Sequence, residues 1–172
     1  SFVSADCLRF CRINKEVYTE NYHYIALKNL TRARYYAVCN LVKEKQRFMN
    51  ILFKKYSTMT QEKVFSDTFS TTALAVYEEF ESAEALASMD LQELTDFIVE
   101  KGKNRFPDPD SVAKAIQKAA RSSYRLPKTV NDSVNQVLSI SITSMRALES
   151  QIKEFDKAIA AQMKLLPNVL TS

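Results

Sequence analysis

Lys101-Gly102-Lys103-Asn104-Arg105-Phe106 places three cations around the chain's one glycine, and Arg121-Ser122-Ser123-Tyr124-Arg125 closes the helical pattern that follows. Guanidinium and ammonium groups, hydroxyls and free backbone amides at helix ends are the groups that contact phosphate oxygens, and a tyrosine ring offers a face on which an unpaired base can stack. Further up the chain, Arg32, Arg34, Lys43, Lys45 and Arg47 are interleaved with Tyr35, Tyr36 and Phe48 on a long helical pattern. The candidate nucleic-acid contacts are therefore Arg32, Arg34, Arg47, Lys101, Lys103, Arg105, Arg121, Tyr124 and Arg125. The competing reading is a solvated basic surface, because cations near helix C-termini also complement the helix dipole.

Hydrolytic or nucleophilic chemistry finds little material. His23 is the only histidine and stands among tyrosines at the start of a long helical pattern, where a partly exposed helix residue is expected rather than a base. Glu78, Glu79, Glu81, Glu84, Asp90, Glu93, Asp96 and Glu100 alternate with apolar residues as a solvated helical face does, so no metal site is expected from them. Cys7, Cys11 and Cys39 include no Cys-x-x-Cys pair and are expected to be reduced thiols.

The elements that must position these residues are helices. One glycine and four prolines in 172 residues leave few positions for tight turns or phosphate-cradling loops, which exclude a β-rich or mononucleotide-binding fold. The expected fold is all-α, with two long helices forming an antiparallel coiled coil and a small helical insertion at its tip. The expected segments are 1–21 as an N-terminal helix end and connection, 22–56 as the first rod, 57–127 as the insertion, 128–166 as the second rod, and 167–172 beyond Pro167. The first seam runs Leu27, Leu30, Arg34, Ala37, Leu41, Glu44, Phe48, Ile51, and the second Val134, Leu138, Ser141, Met145, Leu148, Ile152, Phe155, Ile159, Gln162, Leu166. Both step by three and four as heptads do. The rods could instead pack against another subunit. Tyr35, Tyr36, Ile140 and Ile142 are apolar beyond what one seam consumes, which points to a homo-oligomer.

Within the insertion, short helices are expected over 72–80, 82–87, 91–101 and 109–123. Asp90 with Glu93 has capping-box spacing, Gly102 is placed for a left-handed C-cap, and Asp108-Pro109 is a helix start.

Charge is segregated along the chain. Residues 1–56 carry net +7, 57–100 net −9, 101–128 net +6, and the remainder is neutral, so the mild total of +4 hides two strongly basic stretches. No apolar run is long enough to span a bilayer and no secretory leader pattern is visible, so a soluble, cytoplasmic protein without a membrane partner is expected.

Several blocks together resemble a known family. They are Ser1-Phe2-Val3-Ser4-Ala5-Asp6-Cys7-Leu8-Arg9-Phe10, Leu30-Thr31-Arg32-Ala33-Arg34-Tyr35, Lys43-Glu44-Lys45-Gln46-Arg47-Phe48, the 101–106 block, and Gln117-Lys118-Ala119-Ala120-Arg121-Ser122-Ser123-Tyr124-Arg125-Leu126. In this order they resemble the middle region of insertion-sequence transposases that combine a DEDD-type RNase H-like domain with a serine-bearing C-terminal domain. The resemblance implies a bridge-RNA-guided DNA recombinase, acting in transposition of a bacterial mobile element, whose helical linker supports assembly and binds DNA or guide RNA. It also implies Mg2+ for the parent enzyme, with 1–21 as the C-terminal end of the RNase H-like domain and its connection, 167–172 as the start of the serine-bearing domain, the acidic pair expected before Ser1 and the nucleophilic serine after Ser172. Neither catalytic motif is matched here, so no catalytic residue is carried over and no cofactor is assigned to this segment. The alternative is a structural coiled-coil oligomerisation module that binds no nucleic acid.

Overall fold

The computed structural model describes residues 15–103 and 106–166, with side chains from residue 22 onward. These residues form helices joined by short links, and no strand occurs among them. The helices are α1 (Lys15–Lys55), α2 (Ser57–Gln61), α3 (Thr71–Glu79), α4 (Ala83–Ser88), α5 (Leu91–Gly102), α6 (Pro109–Ser122) and α7 (Lys128–Met163). The all-α expectation is met.

At 41 residues α1 is about 62 Å long at the usual helical rise. It starts at Lys15, inside the polar stretch expected to be a connection. Polarity alone does not stop a helix, and the residues from Lys15 to Asn21 include neither glycine nor proline. The second long helix ends at Met163 and closes through turn bonds such as Leu165 N to Gln162 O at 3.0 Å. Its expected stop at Pro167 lies outside the described residues, as do the segments 1–14 and 167–172.

The chain divides into two compact units, residues 1–41 with 147–172 and residues 42–146. In the first, Ala37 is buried, and Leu27, Leu30, Leu148, Ile152, Phe155 and Ile159 are half-buried. Arg34 Nε donates to Asp156 Oδ1 at 2.5 Å. Every position of the two seams is buried or half-buried, in this unit and in the other.

The core of the second unit is built on Phe48 and Leu52 of α1 and on Tyr56 between α1 and α2, all fully buried. Tyr77 of α3 lies beside Phe48, Tyr56 and Phe65 with ring centroids about 6 Å apart, within the range where aromatic rings attract edge to face. Leu86, Leu94, Ile98 and Ile116 continue this core through α4, α5 and α6, while Val134, Leu138, Ile142 and Met145 bring in α7. Ile142 is thus a core residue and drops out of the apolar flank expected to remain free. The small residues Ala113, Ala119 and Ala120 let α6 lie close to α2, α4 and α5, against all of which it packs.

Helix starts follow local chemistry. Ser70, Ser82, Asp90 and Asp108 each accept a backbone N–H from the first turn of the helix they precede. The Asp90 cap bonds Gln92 N at 3.1 Å. The C-terminus of α5 differs from expectation. Gly102 is its last helical residue with no positive φ, and Lys103 takes the left-handed position at φ 50°, ψ 46°. Glycine is needed at 102 for space, because a Cβ there would stand 2.5 Å from Phe106 Cε2.

Candidate nucleic-acid interface

The candidate residues fall into several places. Arg32 is exposed on α1, whereas Arg34 is half-buried and bonded to Asp156. Arg47 is exposed and 3.4 Å from Glu44. Arg105 lies outside the described residues.

The basic turn and the end of α6, adjacent in the charge pattern, are separated in space by α6 itself, a 14-residue helix about 21 Å long. They line three different clefts of the second unit. Lys101 and Lys103 flank a cleft of 580 Å³ whose lining contains four hydroxyl side chains and no carboxylate. Lys101 lies over the Phe97 ring at 5.5 Å and 3.9 Å from Glu100.

Arg121 lines a cleft of 750 Å³ together with Lys114 and Lys118. Their spacing of four and three puts the three cations on one face of α6. All three are exposed and form no ion pair among the described residues. The one carboxylate in the lining, Asp90, is engaged as the N-cap of α5. Lys114 and Lys118 join Arg121 here although the charge pattern points to the end of the helix; the spacing 114, 118, 121 is the sequence signal for this face.

Tyr124 and Arg125 line the third cleft, of 330 Å³. Tyr124 is 77% exposed, as a stacking face must be. Here, however, Glu81, Glu84 and Asp132 offset Lys55, Arg125 and Lys128, and Arg125 Nη1 is 3.3 Å from Glu84 Oε1. A cleft of balanced sign attracts a polyanion less than the Lys114–Arg121 face does.

Behind this third cleft Lys55 is buried, its Nζ donating to Tyr77 O at 3.0 Å and also to Phe80 O. Tyr56 Oη donates to Phe80 O at 3.2 Å, and Asn131 and Asn135 both donate to Glu81 O. Lys55 at the end of α1, Tyr56 just after it, and Asn131 and Asn135 of α7 thereby hold the link between α3 and α4. Burial lowers the Lys55 pKa to about 8, with Glu81 opposing the shift.

The acidic stretch supplies ion pairs. Glu78 meets Arg146 at 3.5 Å, Glu84 meets Arg125, and Asp96 accepts from Gln92. Among the described residues no three His, Cys, Asp or Glu side chains lie together as a candidate metal site. His23 is exposed on α1, and Cys39 is a half-buried free thiol; Cys7 and Cys11 lie outside the described residues. No described helix is long and apolar enough to cross a membrane.

No family model matches this chain, and no curated protein or solved structure is similar to it.

Proposed function

We propose that this chain is the helical middle region of an insertion-sequence transposase, a linker that binds DNA or guide RNA through the basic clefts of its second unit and supports assembly through its long helices. The observation that carries the nucleic-acid part is the exposed face of Lys114, Lys118 and Arg121, three cations on one side of α6 without an acidic partner among the described residues. Cations so placed exchange condensed counterions for phosphates, which makes binding salt-dependent. The transposase assignment rests on the resemblance of the sequence blocks, and the chemistry of recombination belongs to the parent's other domains.

In this reading α1 and α7 pair antiparallel through their two seams. Support comes from the absence of any fully exposed seam position, from Arg34 bonded to Asp156 in the first unit, and from Ser141 donating to Glu44 at 2.5 Å in the second. A specific observation also favours self-association. Tyr35 and Tyr36 are each 64% exposed and stacked edge to face at 5.8 Å, an aromatic surface on a helix already buried on another side.

The test is the salt dependence of binding to a structured RNA and to duplex DNA. The Lys114→Gln/Lys118→Gln/Arg121→Gln chain is expected to bind more weakly than the parent and to lower the slope of log affinity against log salt by about 2 to 3. Equal affinity and slope in the two proteins would return this face to ordinary solvated surface.

A further inference from the structure

Lys55 is the one buried lysine among the described side chains, at 2% exposed. It also lines a cleft of 330 Å³ bounded by the start of α4, the link from α6 to α7 and the first turns of α7. Besides its bond to Cε, an amine nitrogen has three positions to fill. Two are held by hydrogen bonds to Tyr77 O at 3.0 Å and to Phe80 O. Neither of these residues lines the cleft, so the two bonds anchor the nitrogen from behind and leave its third position for the open side. In the ammonium that position carries a third N–H, and in the free amine it carries the lone pair. Burial lowers the Lys55 pKa to about 8 against the opposing charge of Glu81, so roughly a tenth of it is free amine at pH 7. A desolvated lysine facing a cleft is the arrangement in which an amine attacks a carbonyl carbon.

The surroundings define what carbonyl compound fits. Three cations and three carboxylates offset each other around the cleft, which favours a reactant of little net charge. Ala83, Leu126 and the Tyr124 ring add apolar surface, and the volume lies at the small end of ligand sites. The hydrogen bonds around Lys55 also survive the loss of its amine protons. Tyr56 Oη donates to Phe80 O at 3.2 Å, so that carbonyl keeps a partner. A protonated imine retains one N–H for Tyr77 O, and the Glu81 charge that acts on Lys55 favours the cation.

We infer that Lys55 is an imine-forming residue whose amine captures a small aldehyde in this cleft. The Nζ lone pair bonds to the carbonyl carbon while the carbonyl π pair passes to oxygen. Both amine protons leave with that oxygen as water, and the C=N bond that remains takes a proton from solvent. Neither an oxidant nor a reductant enters the step. The chemistry does not depend on nucleic-acid contacts or on self-association.

Propanal and pyridoxal, each incubated with the full chain at neutral pH and trapped with cyanoborohydride, test the site, because reduction turns an imine into a stable secondary amine that peptide mapping locates. With at least one of the two aldehydes Lys55 is expected to be labelled about tenfold faster than an ordinary exposed lysine, its larger free-amine fraction outweighing the weaker nucleophilicity of a weaker base. A lysine that is merely buried gives the reverse order. Labelling of the exposed lysines first and Lys55 last with both aldehydes therefore overturns the inference. In urea the preference should vanish and the lysines react alike, whereas a preference that persists there does not come from the cleft and also overturns it. Lys55→Met should remove the fast label and leave labelling of the other lysines unchanged; a fast label that remains in this variant belongs to another residue and defeats the assignment. The decisive order is read on the parent chain, so it stands whether or not that variant folds.

Discussion

Gly102 and Lys103 exchange the roles that their types suggest, and the exchange can be measured. Adding a methyl at 102 gains up to about 1 kcal/mol of helix propensity but forces Phe106 aside, an overpacking cost of roughly 1 to 3 kcal/mol. Gly102→Ala is therefore expected to lose about 1 kcal/mol in urea unfolding, within those two opposing magnitudes. Lys103→Gly should gain about 0.5 to 1 kcal/mol, because the left-handed conformation costs a side-chain-bearing residue more than glycine's added unfolded freedom. Stabilisation by the first change or loss by the second would reverse this account. Lys55 gives a pH signature. Its folded pKa of about 8 lies below its ordinary 10.5, so between these values the unfolded chain binds the extra proton and stability rises with pH. Burial raises the Tyr56 and Tyr77 phenols above their ordinary 10.0, so their contribution is present below pH 10 and is lost as the pH climbs beyond it. The thermal midpoint of the parent should rise relative to Lys55→Met from pH 8 to pH 10, and parallel profiles would count against a destabilising buried ammonium.

At the scale of elements, the seams predict a graded response to truncation. Leu138 is 1% exposed, so Leu138→Ala should cost about 2 to 5 kcal/mol, while half-buried Leu148 should cost less, roughly 1 to 2 kcal/mol. Equal losses at the two positions, measured by chemical unfolding, would mean that Leu148 is covered by something beyond its own unit. The helices were legible because their signals are local. Apolar spacing marked the rods, Asp90 and Asp108-Pro109 marked two helix starts, and the expected ranges 72–80 and 82–87 began within a residue of α3 and α4. The five-residue α2 was not legible, since a single turn has no periodicity and its Ser57 and Met59 are buried by tertiary packing. Nor was the grouping of the cations. Residue types at 101–125 announced phosphate chemistry, but only the course of α6 assigns Lys101 and Lys103 to one cleft, Arg121 to a second and Arg125 to a third. The buried Lys55 ammonium arises from contacts distant in sequence, which spacing cannot reveal.

For the whole molecule, the net charge of +4 conceals a basic first stretch, an acidic middle and a basic stretch after it, and the two proposed kinds of association differ in their salt behaviour. Nucleic-acid binding weakens steeply as salt rises because it releases counterions. The proposed self-association through the exposed Tyr35 and Tyr36 would be apolar, so added salt should leave it intact or strengthen it. The chain alone is expected to sediment as a dimer at tens of micromolar, an order-of-magnitude range suited to a modest interface, and to remain so at high salt. Tyr35→Glu/Tyr36→Glu should return it to monomer without loss of helix content, because both rings are mostly in solvent and neither belongs to a seam. The same variant should keep the parent's salt slope for RNA, since the α6 cations lie in the other unit. A parent chain that is monomeric throughout this range removes the tyrosine surface as an assembly contact. A tyrosine variant that loses both dimer and RNA binding would instead mean that two copies of the α6 face must act together on one strand.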